Sequence, residues 1–136
     1  MSVFKDQAKF MLACGQTVGQ DNPEQFKLYF KLINEEVNEL LEATEDSDYV
    51  EVFDALLDII VVCIGAGHSL GLPMQAGWEE VVRSNMSKVD PTTGKVLRRE
   101  DGKIMKGPFY QWPDLASVLD GAQSHNDEVQ QGAETR

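Results

Sequence analysis

Apolar residues recur at helical spacing through most of the chain up to Lys88 and lose that period afterwards. Phe4, Ala8, Met11, Leu12 and Gly15 predict a first helix from about Phe4 to Val18, followed by a loop over Gly19 to Asn22. Asn22-Pro23-Glu24-Gln25 has the form of a helix start: Asn22 suits the N-cap, Pro23 the first helical position, and Gln25 can reach back as in a capping box. The second helix is expected to run to about Ala43, with Phe26, Tyr29, Phe30, Ile33, Val37, Leu40 and Leu41 on one wide face. After a polar turn over Glu45 to Asp48, Asp48 and Glu51 repeat the cap signal and open a third helix that ends near Leu70-Gly71, with Gly71 closing it. From Val50 to Ile64 this helix is apolar almost all round, which predicts a place in the middle of a core. Pro73 opens a fourth helix, to about Lys88.

Asp90-Pro91-Thr92-Thr93-Gly94 is rich in turn formers, and Val96 to Glu100 and Ile104-Met105 flank Asp101-Gly102, a two-residue hairpin signal. Gly107-Pro108 and Trp112-Pro113 break regular structure again, and Asp114 to Leu119 suits a short last helix. Gly121 to Arg136 lacks apolar periodicity and is expected to be a mobile tail. The pattern predicts an all-α chain: one domain over residues 1–120, a four-helix bundle-like core with a small C-terminal β-hairpin and a short last helix, and no internal repeat.

Composition narrows the partners. The 136 residues carry 12 Lys plus Arg against 23 Asp plus Glu, a net charge of -11, which opposes a nucleic-acid polymer or an anionic membrane. The longest apolar run, Ile59 to Gly67, is too short to span a bilayer, and Met1 to Asp6 lacks the apolar stretch of a signal peptide. Cys14 and Cys63 stand far apart with no CxxC, which fits a reducing cytoplasm. The distribution of charge says more than its sum. No Lys or Arg occurs between Lys31 and Arg83, whereas Arg83 to Lys106 holds seven basic and three acidic residues, a net +4 against -15 for the rest.

The acidic block has order. At roughly 100° per residue, Glu39 and Glu42 fall within about 40° of Glu35 on the second helix, and Glu36 borders the apolar face between Leu32 and Leu40. On the third helix Asp54 and Asp58 are one turn apart, with Glu51 on the same stripe and Leu57, Val61 and Val62 alongside. Carboxylates inside an apolar helix are costly to desolvate without compensation, and these helices supply no cation after Lys31. A hard divalent ion such as Mg²⁺ or Mn²⁺ is the simplest compensation. Glu42 and Glu45 read as solvated charges, and His68 as a polar residue near a helix end. A di-iron bundle is disfavoured, because Gly65 and Ala122, not Glu, stand three residues before His68 and His125.

Glu35-Glu36-Val37-Asn38-Glu39-Leu40 followed by Asp54-Ala55-Leu56-Leu57-Asp58 resembles the all-α nucleoside triphosphate pyrophosphohydrolases, the MazG-like proteins and relatives of phosphoribosyl-ATP pyrophosphohydrolase. Gly65, Gly71-Leu72-Pro73, Ser84-Asn85-Met86-Ser87-Lys88, Asp101-Gly102-Lys103 and Lys106-Gly107-Pro108 extend the likeness over roughly Leu32 to Leu115. The family pattern is Glu-x-x-Glu on one helix and Glu-x-x-Asp on the next. Here Ala55 stands where the Glu of the second pair belongs, so either Asp54 substitutes for it or the pair is Glu51-x-x-Asp54.

The resemblance implies a MazG-type bundle that hydrolyses a nucleoside triphosphate to the monophosphate and pyrophosphate. It implies Mg²⁺ or Mn²⁺ held by Glu36, Glu39, Asp58 and Asp54, with Glu35 as a further ligand or as the base that activates water. Asn85, expected on the inward face of the fourth helix, and Lys88 at its edge are implied as phosphate or sugar contacts; Lys103 and Lys106 are expected to close over the phosphates, while Arg83 points away. Phe30, Phe109, Tyr110 and Trp112 are candidates for stacking on a base, and Trp78 reads as core. The likeness further implies a homodimer or homotetramer. A weaker similarity, of Val3-Phe4 to Gly19 and the Ser-Asn-Met-Ser-Lys run to the viral MazZ branch, favours purine substrates such as dGTP, in a host cytoplasm. The rival readings are a housecleaning enzyme for dUTP or non-standard nucleotides, and a non-catalytic nucleotide-binding bundle.

Overall fold

A computed structural model describes residues 1–122. The chain divides into two compact units, Met1–Met74 and Gln75–Arg136, the second described to residue 122. Most of the expected tail from Gly121 onwards lies outside the described residues. All regular structure among the described residues is helical, and no helix there is long and apolar enough to cross a membrane.

The first unit holds α1 (Val3–Ala13), α2 (Pro23–Glu45) and α3 (Tyr49–Ser69). α1 stops about five residues short of the expected end. The Cys14 amide turns back to the carbonyls of Phe10 and Met11, Gln16 bonds Met11, and Gly15 takes the left-handed conformation, φ 76°, that closes a helix. The next segment is stitched to the far end of α3 by Gly19 N–H to His68 O (3.2 Å) and Asn22 N–H to Ser69 O (2.7 Å).

Asn22 caps α2 as its sequence predicts, its side chain accepting from the Gln25 amide at 3.2 Å. Gln25 does not complete a capping box. Its Oε1 accepts from the Thr17 amide (2.9 Å), and its Nε2 donates to Thr17 O and Ser69 Oγ, both at 2.8 Å. One amide thereby ties the loop, α2 and α3 together. Asp48 caps α3 through the Glu51 amide (3.2 Å), and Gly71 follows its C-cap at φ 69°.

Met11, Tyr29, Val62 and Ala66 form the centre of this unit's core, with Val18, Phe26, Leu32 and Ile33 against them. Gly65 lets the Tyr29 ring lie directly on the α3 backbone, since a Cβ there would run into the ring. The expectation that α3 lies in mid-core holds chiefly for its C-terminal half, Ala55 being the one buried residue of the other. Val62 and Ile64–Gly67 are buried, but Val50, Phe53, Leu56, Leu57, Ile60 and Val61 are exposed, Phe53 at 66%. Within this unit the helices that pack chiefly on α3 are α2 and α1, and two neighbours cannot enclose a helix that is apolar on every side.

In the second unit, α4 (Met74–Met86, its first residue belonging to the first unit) ends two residues before the expected Lys88. Asp114 caps a last helix, α5, over residues 115–122, accepting from the amide and hydroxyl of Ser117 at 3.1 and 2.7 Å. The expected β-hairpin is a correction: no strand forms among the described residues. One antiparallel bridge, Arg98 to Ile104, joins the segments, with Arg99 N–H to Lys103 O (2.8 Å) and Met105 N–H to Leu97 O (2.8 Å). The Asp101-Gly102 turn is where the sequence puts it, but an isolated two-stranded ribbon without an apolar face to bury has little to stabilise it. Of its residues, Leu97 to Glu100 are all exposed.

Candidate functional site

α2 and α3 are antiparallel, and their register brings the carboxylates together. Gln25 meets Ser69, and Tyr29 meets Gly65: four residues up one helix match four down the other. Seven further steps in each direction, about two turns on the same faces, set Glu36 against Asp58. One turn beyond are Glu39 on α2 and Asp54 on α3.

The electrostatics report the same grouping. The Glu36 carboxyl is pushed up to about 7, first by loss of solvation, then by a hydrogen bond with Glu39 and by the charges of Glu39, Asp58 and Asp54. Asp58 is raised by burial, by the charges of Asp54 and Glu39, and by a hydrogen bond with Asp54. Glu36 and Asp58 are partly buried; Glu39 and Asp54 are exposed at the rim. Glu35 is exposed, and none of the interactions that raise Glu36 or Asp58 involves it. Glu42, Glu45 and Glu51 are also exposed.

Among the described residues, no three His, Cys, Asp or Glu side chains stand in ligating geometry. Four mutually repelling carboxylates are expected to spread in this way until a cation draws them in. The donor set nevertheless fits a hard divalent ion. All donors are oxygens, no Lys or Arg occurs on α2 beyond Lys31 or on α3, and the buried Glu36 Oε2 has no hydrogen-bond partner. His68 lies outside this group: its Nε2 donates to Phe4 O at 2.8 Å and pins α1 to α3.

The four other expected site residues lie in the second unit. Asn85 is exposed rather than inward, and its Oδ1 accepts from Lys88 Nζ at 3.1 Å. The residue that α4 does bury is Ser84, only 1% exposed, whose hydroxyl donates to Gln111 O at 2.8 Å. Lys88 Nζ also lies 6.0 Å from the Tyr110 ring centroid; Lys106 Nζ lies 5.2 Å from that ring and 3.4 Å from the Trp112 ring. Lys103 is exposed on the turn, its amide bonded to Asp101 Oδ1 at 3.2 Å. Trp78, expected in the core, is 59% exposed, and Phe30, Phe109 and Trp112 are exposed as well.

The profile of the family described as phosphoribosyl-ATP pyrophosphohydrolase matches residues 16–85, half of the chain. The chain belongs to the phosphoribosyl-ATP pyrophosphohydrolase family. That family is part of the MazG-like nucleoside triphosphate pyrophosphohydrolase superfamily. The matched residues include Glu35, Glu36, Glu39, Asp54, Asp58 and Asn85, and end before Lys88, Lys103 and Lys106. The chain is also similar to an uncharacterized protein, L479, of Acanthamoeba polyphaga mimivirus, 40% identical over 52 residues. That stretch is 38% of this chain and only 21% of the viral protein's length.

Sequence reasoning missed a set of residues that fasten residues 110–114 to the α4 segment, of which Glu80, Arg83 and Ser84 fall within the matched residues and Ser87 lies beyond them. Ser87 Oγ accepts from the Gln111 amide (2.8 Å), and Glu80 accepts from the Asp114 amide (3.0 Å). Arg83, expected to point away, bridges Glu80, the Gln111 side chain and the Trp112 carbonyl. Its guanidinium and the Asp114 amide hold the Glu80 carboxyl down at about 2. The signal was available as the spacing Glu80, Arg83, Ser84, Ser87, a polar stripe along one helix face.

Proposed function

We propose that this protein hydrolyses (deoxy)nucleoside triphosphates, purine nucleotides foremost, to the monophosphate and pyrophosphate with Mg²⁺ or Mn²⁺. The observation that carries the reading is the group Glu36, Glu39, Asp54 and Asp58: four acids around a partly buried floor, no Lys or Arg on either helix beyond Lys31, and an unpartnered buried Glu36 oxygen. Family membership supports the reaction class.

In this reading Glu36, Glu39, Asp58 and Asp54 hold the divalent ions. When bound, these neutralise phosphate charge and lower the pKa of water. Glu35, next to Glu36 and open to solvent, is assigned to accept the proton of the attacking water. The water oxygen forms a bond to phosphorus, the α–β anhydride bond breaks, and pyrophosphate carries the displaced electron pair. Asn85, Lys88, Lys103 and Lys106 are assigned contacts to phosphate or sugar. The exposed apolar face of α3 (Phe53, Leu56, Leu57, Ile60) supports a homodimer or homotetramer, in which a second copy covers what α1 and α2 leave open.

The test is incubation with each nucleoside triphosphate and Mg²⁺ or Mn²⁺, with products resolved by chromatography. Monophosphate and pyrophosphate are expected, fastest with dGTP, dATP, GTP or ATP. Orthophosphate with a nucleoside diphosphate overturns the reaction, and preference for dUTP overturns the purine assignment.

A further inference from the structure

The second unit holds two lysines against one aromatic pair. Tyr110 and Trp112 meet edge to face, ring centroids 5.3 Å apart and planes at 71°. Lys106 Nζ sits over both rings, closest to the indole, and Lys88 Nζ approaches the phenol ring from the turn that follows α4. Two ammonium groups around one ring repel each other, and the ring quadrupole offsets part of that repulsion. A lysine with four free torsions otherwise gives up side-chain entropy when it meets a ligand, so a held lysine binds an anion more tightly.

The rings are themselves held. Residue 111, between them, is bonded through its amide to Ser87 Oγ, through its carbonyl to Ser84 Oγ and through its side chain to Arg83, which also reaches the Trp112 carbonyl. These bonds come from Arg83 and Ser84 on α4 and from Ser87 in the turn that follows it, so the segment that leads into Lys88 also fixes the rings that hold Lys106. Trp112 is 70% exposed, which leaves its partner ammonium open to solvent and to an incoming anion.

We propose that Tyr110 and Trp112 are positioning residues that hold Lys106 and Lys88 as a prearranged ammonium pair for an oligophosphate. The inference rests on the proposed function in taking that oligophosphate to be the substrate's. The lysines touch the anion, and the rings act through them.

Binding of inorganic tripolyphosphate to the full-length protein without divalent ions tests this separately from catalysis. Lys106→Met is expected to weaken binding about tenfold. Trp112→Leu is expected to weaken it about three- to fivefold, and Trp112→Phe to recover at least half of that loss, because a smaller ring keeps part of the cation attraction. With a nucleoside triphosphate and metal, Trp112→Leu raises KM with kcat within twofold. Wild-type affinity in Trp112→Leu, or a Phe variant no better than Leu, overturns the proposal. A measurement on the unaltered protein covers the case in which Trp112→Leu fails to fold: acetylation of Lys106 and Lys88, read by mass spectrometry, slows under saturating tripolyphosphate while Lys9 is unaffected. Equal rates with and without tripolyphosphate overturn the proposal too. Ring-dependent tripolyphosphate binding without hydrolysis of any nucleotide leaves the clamp standing and removes the reaction; hydrolysis with ring-independent binding does the reverse.

Discussion

The two ends of the α2–α3 pair solve opposite problems. At the Gln25–Ser69 end a network of polar groups closes within the chain: Gln25 bonds Thr17 and Ser69, Ser69 Oγ donates to Gly65 O, and Tyr29 OH donates to Gln16. The core packs tightly there, with Tyr29 on Gly65. At the Glu36–Asp58 end, acids face acids and Phe53, Leu56 and Leu57 meet solvent. One end is complete by itself and serves as scaffold. The other, in the proposed reading, is left for a cation and a second copy to complete.

The sharpest break of that contrast removes one acid. Asp58→Asn keeps an isosteric side chain and the helical circular-dichroism signal, but is expected to lose at least about a hundredfold in turnover. Wild-type rates would show that the open end holds no metal. A break at the closed end works through stability. Gly65→Ala drives a Cβ into the Tyr29 ring and should destabilise the fold by about 1–3 kcal/mol in urea titration, as overpacked cores do. An unchanged midpoint there would mean that the closed end is looser than its packing shows.

A gentler probe is pH. The Glu36 carboxyl titrates near 7 in the folded protein, above its ordinary value of 4.5, so the folded state binds its proton more tightly than the unfolded chain does. Stability from this group is therefore present below pH 4.5 and declines as pH rises through 7. In the proposed reading Mg²⁺ or Mn²⁺ replaces the lost proton, so the rise in Tm on adding metal should be larger at pH 8 than at pH 5. An equal rise at both would disconnect the metal from Glu36. The smallest effect on the protomer, though visible in its mass, is expected from Leu57→Asp. On an already exposed site it should alter the fold little, yet shift light-scattering mass toward monomer.

Much of the first unit was legible in the sequence because its signals are local. Asn22 and Asp48 cap where they stand, Gly71 ends α3, and the spacing from Glu36 to Glu39 and from Asp54 to Asp58 places the acids by helix geometry alone. What was missed depends on distant partners. Gln25 looks like a capping-box residue until Ser69, 44 positions away, comes within reach. Ser84 and Arg83 acquire their roles only from Gln111 and Trp112, and Asn85, assigned inward from the helix angle, turns out exposed, because the face bonded to residues 110–114 is that of Arg83 and Ser84. The hairpin failed for a related reason: a turn signal is local, but a strand needs an apolar surface to lie on, and Arg98, Arg99 and Glu100 offer none.

The contact between Tyr29 and Gly65 also acts as a key. It admits one alignment of two long helices, and the acids two turns away inherit that alignment. One residue inserted between Tyr29 and Glu36 would swing Glu36 and Glu39 by about 100° and part them from Asp58, while the same insertion in the turn before Asp48 would leave both faces matched. Length is thus negotiable in the connections of this protein and fixed along its helices.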